Sequence, residues 1–333
     1  MNDKLTPKIL ISEAAEILSI TPQALHKQLR SKKLHHCKTR NRVYFEHEAA
    51  KTIFKDYKLP CKVAVFVLVK GGVGKTTLCR EVAIRSTLMG KKVLVIEIDH
   101  QWNLTKSFGI KAQDTPVLID LLNDTKLDIK DAVIPVMPGL DMLPSRYDNS
   151  VLDSYIMIKA IPLKKVLKSR IEPLKKEYDL ILIDCPPSLG QAVSSAVICS
   201  DIVVLPTTPC DFSDSGIETT VKEIERMAKD YDFNVNMKII LNQYDNRESD
   251  SYETLSRLIK HEKYGQMLFN CYIRTCKEIE NLRRKYSSVF ESTASTNGRE
   301  DIDRFTRELI EIDKKKGMKN NAKEHSRIDN ANT

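Results

Sequence analysis

The stretch Val63-Ala64-Val65-Phe66-Val67-Leu68-Val69-Lys70-Gly71-Gly72-Val73-Gly74-Lys75-Thr76-Thr77 decides how the rest of the chain is read. Its uninterrupted apolar opening, rich in Val, suits a strand buried on both faces, as in a parallel sheet. The glycines that follow stand out because glycine is scarce here: 11 of 333 residues, about 3% against roughly 7% in ordinary proteins. Glycine lets backbone N–H groups turn inward and approach an anion closely. A helical pattern from Thr76 to Met89 begins at the same point, and its N-terminus adds partial positive charge. Strand, glycine loop, Lys-Thr and helix form the arrangement of a phosphate-binding loop. In that arrangement Gly71, Gly72, Val73, Gly74, Lys75, Thr76 and Thr77 surround the phosphates of ATP. Lys75 reaches the β and γ phosphates, and the Thr76 hydroxyl ligates Mg2+.

Further apolar runs lie at Lys92–Ile98, Leu180–Asp184, Ile202–Pro206 and Met237–Leu241. Helix-length patterns such as Gly216–Asp230 separate them. The alternation predicts an α/β fold, a twisted and mainly parallel sheet flanked by helices. Asp184 closes one of these strands, where a carboxylate holds the Mg2+ shell.

Bulk composition narrows the classes. Hydrophobic residues are 41% and charged residues 29%, which excludes wholesale disorder and fibrous folds. No run approaches the roughly 18 apolar residues of a membrane span. The N-terminal residues lack the apolar core of a secretory signal. The eight cysteines are scattered without a C-x-x-C pair, so a reducing, cytoplasmic setting is expected. The net charge of +8 is concentrated: residues 1–60 hold 12 Lys/Arg and 6 Asp/Glu, hence +6. A basic module of this kind predicts a polyanionic partner, DNA first. Three parts follow, residues 1–58, 59–313 and a polar tail 314–333, with the junction in Lys55–Lys62 around Pro60.

One departure in the phosphate loop identifies a resemblance. Val69 stands where the general G-x-x-x-x-G-K-[ST] pattern has its first glycine, and Lys70 precedes the glycine pair instead. This resembles the ParA/MinD family of deviant Walker ATPases. The resemblance implies that Lys70 crosses a dimer interface to the partner's nucleotide, so that two chains sandwich two ATP molecules. It extends to Glu97-Ile98-Asp99-His100-Gln101-Trp102-Asn103-Leu104-Thr105, close to the family's D-x-D-P-Q-G-N-L-T. Glu97, His100 and Trp102 are the departures. Asp99 is then the residue that positions the attacking water, and Trp102 restricts a backbone that glycine would leave free. It also covers Asp184-Cys185-Pro186-Pro187-Ser188-Leu189-Gly190, usually T-P-P-S-L-G after the aspartate; Cys185 reads as a packing residue. Asn242, after the strand Met237–Leu241, matches the family's adenine-contacting asparagine.

The N-terminal part reads as two helices, Ser12–Leu18 capped by Ser12, and a second one capped by Thr21 with Pro22 at its first position. This resembles a MerR-like winged helix-turn-helix. Gln23, His26, Lys27 and Arg30 would face DNA, and Lys38, Arg40 and Arg42 on a wing within His35–Phe45 would touch phosphate. A C-terminal helix over Arg299–Lys316 presents Ile302, Phe305, Leu309 and Ile312 on one face and is expected to pack on the body and not on a membrane. Arg274, Arg283, Arg284 and Lys285 form a basic stretch for non-specific DNA. The resemblance as a whole implies a cytoplasmic, nucleoid-associated plasmid partition ATPase. Its partners are a second copy, DNA and a ParB-type centromere-binding protein, with repression of its own operon by the N-terminal part. A nucleotide-gated repressor without a transport role is the alternative; a MinD-like membrane positioning ATPase fits less well.

Overall fold

The computed structural model describes residues 5–39, 41–57, 60–209, 216–279, 281 and 287–313. Its N-terminal unit opens with β1 (Ile9–Leu10), α1 (Ile11–Leu18) and α2 (Pro22–Ser31). The hairpin β2 (Cys37–Lys38) and β3 (Val43–Phe45) follows, then α3 (His47–Ile53). The three short strands pair antiparallel in the order β1-β3-β2. Thr21 caps α2 as its sequence predicts, accepting from the Ala24 N–H at 3.1 Å with Pro22 at the first helical position. Ser12 does not cap α1. The helix starts one residue earlier, and the Glu13 carboxylate instead accepts the Leu10 N–H at 3.1 Å. Leu25 and Leu29 of α2 and Ala14, Ala15 and Ile17 of α1 are buried between the helices.

The central sheet holds seven strands. They are β4 (Lys62–Phe66), β5 (Val93–Glu97), β6 (Ile134–Met137), β7 (Leu140–Leu143), β8 (Leu180–Asp184), β9 (Ile202–Thr207) and β10 (Met237–Leu241). Their order is β10-β9-β4-β8-β5-β7-β6, parallel throughout except for the antiparallel edge strand β6. All five strands expected from sequence are present. The edge hairpin β6–β7 is new, because Pro135 and Asp141 interrupt the apolar runs that signal buried strands.

The period-two alternation of strands sends side chains to two cores. Ala64, Phe66, Val93, Val95, Leu182 and Val204 face one side; Val63, Val65, Leu94, Ile96, Ile183 and Val203 face the other. On the first side lie α4 (Lys75–Leu88) and the C-terminal helix. The second side is covered by helices that include α6 (Leu152–Ile158), α7 (Gln191–Cys199) and α8 (Gly216–Asp230), α5 (Asn103–Ser107) lying earlier in the chain.

The C-terminal helix α9 spans Asn297–Leu309. Ile302, Phe305, Leu309 and Ile312 are buried. The Phe305 ring meets Phe269 and Phe66 edge-on, with centroids at 5.0 and 6.4 Å. Burial of such side chains contributes about 1.5–3 kcal/mol each. The apolar face of α9 therefore belongs to the core. No helix among the described residues is long and apolar enough to cross a membrane.

The N-terminal unit shares this first core. One apolar cluster runs from Ile9, Ile17 and Phe45 through Leu78 and Val82 to Phe290 and Phe305. A buried ionic network crosses the same contact. Arg85 of α4 pairs with Glu13 of α1 at 3.1 Å and with Asp303 of α9 at 2.6 Å. Arg299 of α9 reaches Glu13 at 2.5 Å and also donates to the Lys8 carbonyl at 2.7 Å. Arg85 and Arg299 are fully buried. Burial pushes the Glu13 carboxyl up, but Arg85 and then Arg299 outweigh it and hold the carboxyl below its ordinary 4.5.

Glu13→Gln keeps the volume and removes the charge, leaving two buried guanidinium groups short of a partner. The variant is expected to lose about 3 kcal/mol, read from urea unfolding of the full chain at neutral pH. A depressed carboxylate contributes stability above its unfolded value and loses it as pH falls through the folded value. The stability of the wild type should therefore fall more steeply below about pH 4.5 than that of the variant. Parallel pH profiles for the two would remove Glu13 from this role.

Candidate functional site

Parallel strands end at the same edge, and that is what assembles the site. Strand β4 runs into the loop before α4, β5 ends at Glu97 just before Asp99, β8 ends at Asp184 and β10 just before Asn242. Gly74 is the residue before α4, with φ of +91° in the left-handed region. A Cβ there would lie 2.3 Å from Asn242 Nδ2. The close approach has a function: Asn242 Nδ2 donates to the Val73 carbonyl at 2.9 Å, and the Asn242 N–H donates to Thr207 O at 2.7 Å. Gln243 Nε2 donates to Gly72 O at 3.3 Å. The amide expected at adenine thus also braces the phosphate loop.

Lys75 is buried, and its ammonium donates to the Lys70 and Leu68 carbonyls at 2.7 and 3.2 Å. Burial lowers its pKa, and the negative charge of Asp184 opposes that shift. Lys70 itself is half-exposed at the mouth of the loop, Gly71 and Gly72 are exposed, and Thr77 follows in the first turn of α4. Thr76 Oγ1 donates to Asp184 Oδ2 at 2.8 Å. The other oxygen, Asp184 Oδ1, is buried without a hydrogen-bond partner. An orphaned carboxylate oxygen beside a threonine hydroxyl is a donor set for a hard divalent cation. Burial pushes the Asp184 carboxyl up to about 7. Asp99 is nearly buried, accepts the Gln101 N–H at 2.9 Å and has His100 Nδ1 at 3.9 Å. Cys185 is buried in the second core, where burial and then Asp184 raise its thiol pKa well above the ordinary range; it packs and is not activated.

Two of the departures from the family pattern, Glu97 and Trp102, shape the site. Glu97 is a register partner of Asp184 across β5 and β8. Its carboxylate accepts the N–H groups of Leu104 and Thr105, both at 2.8 Å, and the Thr105 hydroxyl at 2.5 Å. It therefore holds the N-terminus of α5 against the sheet. Burial and then Asp184 push its pKa up to about 8. An acid at the end of an apolar strand, six residues before a short helix, was the available signal. Trp102 is the second. It occupies a left-handed conformation, φ +41°, where the family pattern has glycine. Its N–H donates to Asp99 O at 3.1 Å, and Lys106 Nζ lies 4.8 Å from its ring centroid.

The residues expected to meet DNA gather elsewhere. Gln23, Lys27 and Arg30 are exposed on α2, and Lys38 is exposed on β2. His26 is half-buried, its ring edge-on to His36 at 5.2 Å; burial, then the charges of Arg30, His36 and Lys38, hold it below its ordinary 6.5. Arg42 turns inward and donates to the Thr293 carbonyl. Arg40, Arg283, Arg284 and Lys285 lie outside the described residues. Arg274 is bound through two nitrogens to Asp301, at 2.7 and 2.9 Å, and so serves the fold.

A family model described as AAA domain matches residues 61–239, and the chain belongs to that family. A ParA family protein of Mycoplasma pneumoniae is 30% identical over 187 residues, covering 53% of this chain and 68% of the relative. The chain is a member of the ParA family. Solved structures share its fold. A Borrelia burgdorferi protein described as a plasmid partition protein, bound to AMPPNP, superposes with a TM-score of 0.60 at 21% identity, over 77% of this chain and 99% of that one. Cobyrinic acid a,c-diamide synthase from Mycobacterium smegmatis, with a bound ATP analogue and magnesium, gives 0.63 at 22% identity, over 75% and 94%.

The bracing of the ParA-family loop by Asn242 is open to a double-mutant test. Gly74→Ala places a Cβ against the Asn242 amide and a non-glycine residue in the left-handed region, at a cost of roughly 1–2 kcal/mol for the backbone alone. Adding Asn242→Ala should return the clash component and leave the backbone component. Thermal unfolding of the two single variants and the double variant reads this directly, and strict additivity would show that the two residues do not meet.

Proposed function

We propose that the chain is a plasmid partition ATPase, in which ATP and Mg2+ occupy the loop after β4 and two chains close on two nucleotides. The observation that supports it best is the convergence of Lys75, Thr76, Asp99 and Asp184 at one sheet edge, with Lys70 ahead of the glycine pair. Backbone N–H groups from Gly71 to Thr77 receive the phosphates. Lys75 exchanges its two carbonyl acceptors for β and γ phosphate oxygens. Thr76 and Asp184 hold Mg2+, which neutralises phosphate charge when bound. Asp99 orients the attacking water, and Lys70 crosses to the partner's nucleotide. The solved relatives that carry an ATP analogue, one of them with magnesium, support the ligand assignment.

In this reading the ATP-bound dimer holds nucleoid DNA without regard to sequence, and a ParB-type partner stimulates hydrolysis and release. The N-terminal unit, with Gln23, Lys27, Arg30 and Lys38 outward, binds the operator of its own operon in the ADP or free state. A nucleotide-gated repressor without a transport role is the second reading. It is favoured by the buried network that joins α1 to α4.

Binding to a random-sequence duplex, with ATP and with ADP at one fixed salt concentration, separates the two, because phosphate-driven affinity collapses as salt rises. Tight binding with ATP alone supports partition. Equal or absent binding, with Trp102 fluorescence still responding to ATP, supports the repressor. Lys75→Ala should lose nucleotide binding. Asp99→Ala should bind ATP and lose turnover by about 100-fold or more; wild-type turnover in that variant removes Asp99 from the water-positioning role.

A further inference from the structure

Helix α6 is apolar on both sides. Leu152 and Ile156 are buried in the second core. On the outer side Tyr147, Val151 and Ile158 are 68%, 50% and 80% exposed, and Met157 is 66% exposed. Tyr147 and Val151 belong to the 3-10 turn before α6, and Met157 and Ile158 to its last turn, so two consecutive elements expose apolar side chains. Surface elements normally turn polar residues to water, so four exposed apolar side chains in neighbouring turns mark a face that is covered in use. Beside it lies a cavity of about 450 Å3 lined by Ile156, Met157, Ile161, Leu163, Gln191 and Tyr231, among others. Methionine in such a lining adapts to an incoming apolar side chain.

The charge around this face names the occupant. From Ser154 to Ile171 the sequence holds Lys159, Lys164, Lys165, Lys168 and Arg170 and no Asp or Glu. Lys159, Lys164, Lys165 and Lys168 are exposed, and none has an ion-pair partner among the described residues. A second copy docking through the same face would oppose lysine to lysine. A nucleic-acid backbone would satisfy the lysines and leave the apolar side chains in water. We propose that this face docks an acidic amphipathic helix of another protein, its apolar side chains on Tyr147, Val151, Ile158 and the cavity and its carboxylates on Lys159, Lys164 and Lys165.

The face also touches both loops of the site. The Tyr147 ring meets the His100 ring at 6.5 Å, beside Asp99. Asp153 Oδ1 accepts the Ala192 N–H at 2.9 Å and so caps α7, directly after the loop that begins at Cys185. A Cβ on Gly190 would lie 1.8 Å from Asp153 Oδ2, so that loop and α6 are in contact. An occupant of the face therefore bears on the residues that follow Asp99 and Asp184.

The test measures binding directly and does not depend on ATP turnover. The probe is a fluorescein-labelled synthetic helix of about 18 residues, with Leu at i, i+4, i+7 and i+11 and Glu on the rest of its surface. Its counterpart carries Lys for Glu. Anisotropy should report binding of the acidic helix only. Ile158→Asp is expected to raise its Kd about tenfold, and the double variant Lys164→Glu, Lys165→Glu should shift preference to the basic helix. Equal binding of both helices, binding of neither, or indifference to both variants would overturn the proposal. So would loss of ATP-induced dimerisation in Ile158→Asp, read by light scattering, which would make the face a self-interface. Co-sedimentation with phosphatidylserine vesicles that Ile158→Asp abolishes would assign it to lipid instead.

Discussion

Helix α4 carries the rest of the structure because it is buried on every side while bearing charge along its length. Lys75 opens it at the phosphate loop, Arg80 and Glu81 lie near its middle and Arg85 near its end, all of them buried. A buried charge is tolerated only when paired and hydrogen-bonded, so each of these residues dictates its surroundings. Arg80 binds Glu81 at 2.6 Å and the Ser287 carbonyl at 2.7 Å, and Glu81 takes the Ser288 hydroxyl at 2.6 Å. Arg85 requires Glu13 and Asp303. The C-terminal segment, α9 and the N-terminal unit are thereby fixed to the helix whose first residue is the phosphate lysine. The N-terminal unit is not a loosely tethered head. Moving it away would strip carboxylate from Arg85 and Arg299 and expose the apolar cluster that spans Phe45, Val82 and Phe290.

A second constraint acts at the sheet edge. Glu97 and Asp184 are neighbours in register, both without solvent exposure. Burial raises both carboxyls, and a like charge adds to it, Asp184 at Glu97 and Asp99 at Asp184, since both effects disfavour ionisation. The fold accommodates the pair by dividing their partners. Glu97 is satisfied by the N-terminus of α5, where backbone N–H groups favour negative charge. Asp184 has one oxygen on Thr76 and one without a partner. The uneven satisfaction leaves the unfilled valence on Asp184, whose other oxygen is already held by the first turn of α4.

Much of this was legible in the chain. The five buried strands, the phosphate loop and the carboxylate after Ile183 are local patterns with little alternative, since uninterrupted β-branched runs and clustered glycines have few other uses. The helices α1 and α2 were readable from Thr21-Pro22 and the apolar spacing. What escaped reading depends on residues far apart in sequence. The Glu13–Arg85–Asp303–Arg299 network joins three elements, with residues up to 290 positions apart, and no local pattern announces a buried arginine. Ser12 looked like a cap because capping residues are assigned by type, whereas Glu13 took the position through its longer side chain. Asn242, matched by resemblance to an adenine contact, also braces the Val73 carbonyl, a role that its spacing did not show. The β6–β7 hairpin is an edge, where burial is one-sided and the apolar signal weak.

The fold alone leaves the function open, because a diamide synthase and a partition protein both superpose on it with similar scores. What discriminates must be what the chain adds to the shared sheet. Three additions stand out: Lys70 before the glycine pair, the basic N-terminal unit bound through Glu13, and a strained Trp102 in place of a glycine. A small-molecule synthase has no use for a basic unit anchored to its phosphate helix by two buried arginines. Under the proposed function, a unit anchored in this way would carry the nucleotide state to DNA. Trp102 fits the same logic. A left-handed tryptophan costs backbone energy, and it persists because Glu97 pins α5 on one side and Lys106 covers the ring on the other. The loop bearing Asp99 is thus held in one shape by neighbours, and the free energy of any rearrangement there is set by the side chains that hold it more than by the loop itself.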